Sequence, residues 1–181
     1  MRALYVFMRG VTRINEWTGR AVSWLILPIF VLLMLEVFTR YFLGRPTVWT
    51  NELAQLLFGV YAVLAGGYLL AHGGHVNVDL LYGKLSVRAR ALVDVLTSVL
   101  FFVFVGALLY YGSSLAYESI ETWERSQSAW NPYIWPFKLV VPLAAFLLLL
   151  QGIVKLVRDL MILLGVEPPA GPAAGARGEE A

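Results

Sequence analysis

Cysteine is absent from the 181 residues, which rules out disulfides, thiolate metal sites and thiol nucleophiles and leaves the redox compartment unreadable. Charge is scarce as well. Asp, Glu, Lys and Arg make up 14% of the chain, against about 25% in soluble domains, too little polar surface for a fold in water. The formal net charge of +2 supplies no field for nucleic acid. Histidine occurs only twice, and no Gly-rich phosphate loop or Ser/His/Asp set is recognisable. These shortages leave few materials for catalysis or cofactor binding.

What is present is apolar sequence in long blocks. Hydrophobic residues reach 59% and mean hydropathy is +0.70. A hydrocarbon layer about 30 Å thick needs ~20 apolar residues of helix. Four segments qualify, at about 21–42, 53–71, 95–117 and 134–154, predicting an all-α membrane domain over 21–164. The third, Val95 to Tyr117, is uncharged throughout; the fourth carries Pro136 and Pro142 early, where a missing N–H is best tolerated.

The beginning of the chain has basic residues ahead of an apolar run, as a signal peptide does. That reading fails, because the run starts only near residue 21, reaches spanning length and has no small-residue cleavage site before Arg40. Instead Leu4, Phe7, Val11 and Ile14 recur at helical spacing, with Arg9, Arg13, Glu16 and Arg20 on the other side. Residues 1–20 therefore read as a basic amphipathic helix lying in the headgroup plane of a lipid bilayer, the alternative being a frayed tail.

Lys and Arg orient the spans. Arg2, Arg9, Arg13 and Arg20, then Lys84, Arg88 and Arg90, then Lys155, Arg158 and Arg177 lie on one side, while Arg40, Arg45, Arg125 and Lys138 lie on the other. The positive-inside rule places both termini in the cytoplasm. Beyond Gly165 the sequence turns to Pro, Ala, Gly and charge, and 165–181 reads as a disordered cytoplasmic tail.

Glu36 lies inside the first span, where a charge is a functional candidate by default. It could serve as a proton or substrate carboxylate in an autonomous small exporter. The favoured reading is structural, since Arg40 stands at i+4 and can neutralise it. His72 and His75 share one short segment, which suits haem ligation across a bundle badly. His75 and Asp79 lack the third ligand that zinc needs, so a loop-stabilising role is favoured over a metal centre or a four-helix membrane enzyme.

Glu118, Glu121 and Glu124 recur every third residue beyond the third span and predict one acidic helical face, interleaved with Trp123, Trp130, Tyr133 and Trp135. Two readings stay open: a docking surface for a soluble partner, and an interfacial aromatic belt with a solvated acidic face. Gly59, Ala62 and Gly66 form a small-residue strip that admits another helix, from this chain or a second one. With so few polar groups in the membrane, a subunit is favoured over a self-contained carrier.

The stretch Arg40-Tyr41-Phe42-Leu43-Gly44-Arg45-Pro46-Thr47-Val48-Trp49-Thr50-Asn51-Glu52-Leu53-Ala54 resembles the hallmark of the small, DctQ-like permease subunit of tripartite ATP-independent periplasmic (TRAP) transporters. Gly74-His75-Val76-Asn77-Val78-Asp79-Leu80-Leu81 is similar to that family's second signature, and Tyr133 to Lys138 to its lead-in to the fourth span. Spacing and topology agree from about Trp17 to Asp159. In the first signature Gly44 and Pro46 suit a tight turn, Trp49 an interfacial ring, Thr50 or Asn51 an N-cap, and Glu52 the first helical turn, where the dipole favours an anion. Arg40 and Glu52 flank this hairpin and are candidates for an ion pair across it.

The resemblance implies a scaffold subunit in a bacterial or archaeal cytoplasmic membrane. It would pack stably on a large permease subunit that holds the substrate and sodium sites, while a periplasmic binding protein docks transiently and delivers an organic acid. No cofactor, metal or enzymatic activity is implied.

Overall fold

The computed structural model describes residues 2–72 and 86–166, with backbone only at 87 and 88. The second signature, with His75 and Asp79, lies outside the described residues, as do Lys84 and the tail beyond 166. Among the described residues five helices follow one another: α1 (Arg2–Ser23), α2 (Ile26–Tyr41), α3 (Thr50–Ala71), α4 (Val87–Glu121) and α5 (Trp135–Leu163). Four stretches are long and apolar enough to cross a membrane, and in the first of these α1 and α2 run on from one another. The protein is an all-α membrane protein.

The break between α1 and α2 has a local cause. Pro28 has no N–H to offer the Trp24 carbonyl, and the Ser23 hydroxyl donates to the Arg20 carbonyl at 2.7 Å instead of leaving the last turn of α1 open. As a result α2 is only 16 residues, about 24 Å. The expected first span, 21–42, therefore contains a joint. The other helices outrun their expected spans: α4 has 35 residues and α5 has 29, ending at Leu163 and not near Val154, so both project beyond a ~30 Å hydrocarbon layer. Pro136 falls in the first turn of α5, whereas Pro142 is inside the helix.

Packing relies on small residues, as it must where no solvent drives apolar faces together. The α4–α5 interface is the most extensive. There a Cβ at Gly112 would stand 3.1 Å from Val141, one at Gly152 would overlap Phe101, and Ala116, Ala144 and Ala145 are buried. Outward faces are almost wholly large and apolar, from Phe30, Val31 and Phe38 on α2 to Leu100, Val103 and Phe104 on α4, all more than half exposed. A membrane protein turns such faces to lipid or to a partner chain.

The structure redraws α1. Its buried residues are Met8, Val11, Thr12, Asn15 and Val22, while Leu4, Phe7 and Ile14 of the expected stripe stay exposed. Asn15 explains the shift. Its amide donates to the Val11 carbonyl at 3.1 Å and to Gln151 Oε1 at 3.3 Å on α5, and its side chain lies against Gly67 of α3. Val11 and Met8 meet Val154 nearby, and Gly19 lies under Tyr68. Along α1 these contacts run from residue 8 to residue 19, and they meet Gly67 and Tyr68 on α3 and Gln151 and Val154 on α5. Thus α1 packs on the C-terminal halves of both α3 and α5. A buried polar pair sets its register.

Candidate functional site

At the other end of the bundle, the α2–α3 hairpin and the α4–α5 connection form one hydrogen-bonded platform. The hairpin is built around Glu36, which is 8% exposed. Arg40 donates Nη2 to its Oε1 at 2.5 Å and Nε to the same oxygen at 3.1 Å. On Oε2, the hydroxyls of Thr47 and Thr50 donate at 2.6 and 2.5 Å. Both carboxylate oxygens are thus occupied, which is what a charge at membrane depth requires. The i,i+4 pairing read from sequence is present; the two threonines, one on the loop and one on α3, had no periodic signal to announce them.

Two expectations for the hairpin change. Thr50 does not cap α3: the helix starts at that residue with Trp49 as its N-cap and no side-chain cap bond, because the Thr50 hydroxyl is committed to Glu36. Nor does Arg40 reach Glu52, since its guanidinium is held by Glu36. Glu52, in the first turn of α3 as expected, instead accepts hydroxyls from Ser126 and, at 2.5 Å, Ser128. Gly44 adopts φ +62°, the left-handed turn its place in the motif suggests, and the Arg45 N–H returns to the Thr39 carbonyl at 3.1 Å.

The connection after α4 is a compact hairpin and not a continued helix. The amide of Ser126 donates to the Pro132 carbonyl at 2.8 Å, and that of Ile134 to the Glu124 carbonyl at 3.1 Å. Arg125 lies 3.9 Å over the Tyr133 ring, and Trp123 meets Tyr133 and Trp135 edge-on. The expected acidic face is therefore divided. Glu118 and Glu121 are exposed on the last turn of α4, where the helix dipole disfavours carboxylates. Glu124 falls beyond the helix and pairs with Lys138, which holds its carboxyl below the usual glutamate range. Trp130 is half-buried against Trp49, centroids 6.4 Å apart, whereas Trp123 is 65% exposed.

At the opposite end, Lys155 on α5 stands 3.0 Å from Asp94 and 3.3 Å from Asp159, beside a cavity of about 250 Å³ lined by Leu70, Thr97 and Phe101. His72 closes α3 and packs at a tilt against Tyr68, with ring centroids 4.2 Å apart. The small-residue strip divides as well. Gly66 faces Leu148 of this chain at van der Waals distance, whereas Gly59 has open space around it.

Residues 29–161 match the family described as the DctQ component of tripartite ATP-independent periplasmic transporters. The chain belongs to that family. The DctQ-family match covers α2 through most of α5 and so includes the Glu36 network, Glu52 and the outer hairpin. Over 147 residues the chain is 25% identical to the sialic acid TRAP transporter small permease protein SiaQ of Vibrio cholerae, covering 78% of this chain and 80% of that one. It is also 26% identical over 105 residues to the sialic acid TRAP transporter permease protein SiaT of Haemophilus influenzae. That stretch is 58% of this chain but 17% of SiaT, so the match occupies a minor part of a much longer protein. This DctQ protein is a membrane component of a transporter, in a family of transporter subunits and not of enzymes.

Proposed function

We propose that this DctQ protein is the scaffold subunit of a sodium-driven TRAP transporter that takes up an organic acid delivered by a periplasmic binding protein. It sits in the inner membrane with both termini in the cytoplasm. The observation that carries the reading is the saturation of Glu36: Arg40, Thr47 and Thr50 occupy its two oxygens, so the acidic group buried in the first span locks a hairpin. A carboxylate that must load and release a proton or solute needs a vacant coordination direction. The same observation weighs against an autonomous exporter using Glu36.

A large permease is the natural occupant of the apolar outer faces of α2 and α4. The occurrence of a matching segment inside the longer SiaT supports this, because two chains that work as one assembly tolerate fusion. Both relatives are named for sialic acid, a carboxylic acid, which supports the substrate class and not the particular substrate. For the binding protein, the exposed Glu118, Glu121 and Trp123 offer charge for encounter and an aromatic for contact.

The test is reconstitution of the chain alone, of its system's large permease alone, and of both together, each with the cognate binding protein and an imposed sodium gradient. Uptake only by the pair, with the two proteins co-purifying, is expected. Solute movement by this chain alone, abolished by Glu36→Gln, would establish the exporter instead.

A further inference from the structure

Helix α1 presents three sectors, and one of them is chemically unspent. At about 100° per residue, Met8, Val11, Asn15 and Val22 form the side buried against α3 and α5. Phe7, Ile14 and Trp17 lie away from it, exposed at 45%, 52% and 73%, and Trp24 in the joint is 70% exposed. Between these sectors, Arg2, Arg9, Arg13 and Arg20 fall within roughly 40° of one another along the helix. All four are exposed, and none forms an ion pair among the described residues. Glu16, half-buried, is the one acidic group on this edge.

We propose that the arginine edge of α1 binds the phosphates of anionic phospholipids. Three features select a lipid over a free anion. The guanidinia are spread along the helix and not gathered round one point, so they match a surface of phosphates. An apolar sector with two tryptophans borders the basic edge, the pairing found where a helix lies between headgroups and acyl chains. The contacts with Gly67, Tyr68, Gln151 and Val154 hold α1 by its other side, leaving both sectors outside the protein. A guanidinium presents a planar fork of donors suited to phosphate oxygens. This inference stands on α1 alone and does not depend on the transport reading.

The full-length protein would be reconstituted in bilayers of phosphatidylcholine containing either brominated phosphatidylglycerol or brominated phosphatidylcholine, and tryptophan quenching measured. Comparison with Trp17→Phe/Trp24→Phe isolates the signal from α1. The expected result is stronger quenching of Trp17 and Trp24 by the anionic lipid, lost on raising the salt. In Arg9→Gln/Arg13→Gln/Arg20→Gln the preference falls, each guanidinium contributing about fivefold, and in the triple Lys variant it persists. Equal quenching by the two lipids in the wild-type protein would overturn the proposal. So would loss of the preference for phosphatidylglycerol on adding inorganic phosphate at constant ionic strength, which would mark a free-anion site. Should the Gln variant fail to fold, the salt titration and the Lys variant still decide.

Discussion

The carboxylate of Glu36 accepts the hydroxyl of Thr50 at 2.5 Å, joining α2 to the first residue of α3 across the loop between them. Thr50 is fully buried and Glu36 nearly so. Replacing Glu36 by Gln removes the charge that holds Arg40 and offers only one acceptor oxygen to the surrounding donors. Loss of such charge-assisted bonds costs about 1–3 kcal/mol. Glu36→Gln should therefore lower the thermal unfolding temperature in detergent, and Thr50→Val should do so by less, about 1 kcal/mol. Adding Arg40→Gln to Glu36→Gln should cost little more than Glu36→Gln alone, because the half-exposed guanidinium has by then lost its partner. Additive losses in the double variant would show that the pair is not coupled.

A second prediction concerns Gly67, on which the seating of α1 depends. A Cβ there would overlap the Asn15 amide oxygen and displace the Asn15–Gln151 bond. Gly67→Ala should destabilise the protein by about 1–3 kcal/mol through overpacking and open α1 to proteolysis. Gly59, eight positions earlier on the same helix, has open space around it. Gly59→Ala should leave the isolated chain unchanged or stabilise it by about 0.5–1 kcal/mol. Equal effects at the two sites would refute the assigned contacts.

Hydropathy disclosed the four spans because lipid imposes a length and an apolar requirement on every crossing helix, whatever its neighbours. It could not disclose the joint at Trp24, which arises where Pro28 withholds one N–H inside an otherwise continuous apolar run. The Glu36–Arg40 pair was legible because i,i+4 spacing is a property of one helix. Thr47, Thr50, Ser126 and Ser128 were not, since their acceptors lie on other segments and a hydroxyl leaves no periodic trace. The same limitation misassigned Arg40 to Glu52. For α1, counting apolar residues selected Leu4, Phe7, Val11 and Ile14, yet of these the bundle buries only Val11, together with Met8, Thr12, Asn15 and Val22. A polar residue within the apolar half of an amphipathic helix was the available signal for the side that packs on α3 and α5.

Trp123 supplies a third test. It closes α4 with φ +47°, its amide donating to Ile120 while that of Glu124 donates to Ser119, the geometry in which glycine is usual. The left-handed conformation costs a β-carbon-bearing residue about 1 kcal/mol, and the ring offsets this by its contacts with Tyr133 and Trp135. Trp123→Ala keeps the strain and loses the contacts; Trp123→Gly loses both. Trp123→Ala should thus be the less stable variant in thermal unfolding, by about 1 kcal/mol. The opposite order would place the strain elsewhere. In transport assays the two should be equally impaired if the exposed ring contacts the binding protein.

The pairing of Glu124 with Lys138 predicts a pH dependence confined to the outer hairpin. Lys138 depresses the carboxyl in the folded protein, so the unfolded chain binds the proton first as pH falls. The stabilisation is therefore complete above the ordinary glutamate pKa and is lost as the pH descends through the lower folded value. Glu124→Gln should remove this component, making the difference in unfolding temperature from wild type largest near neutrality and smallest in acid. Because the carboxylate is partly exposed, salt should shrink the difference further. The loss should also loosen the Ile134–Glu124 backbone bond at the base of the hairpin, visible as faster amide exchange at residues 124–134 while α4 and α5 stay protected. A uniform change in exchange along both helices would mean that the ion pair supports the whole bundle and not the hairpin alone.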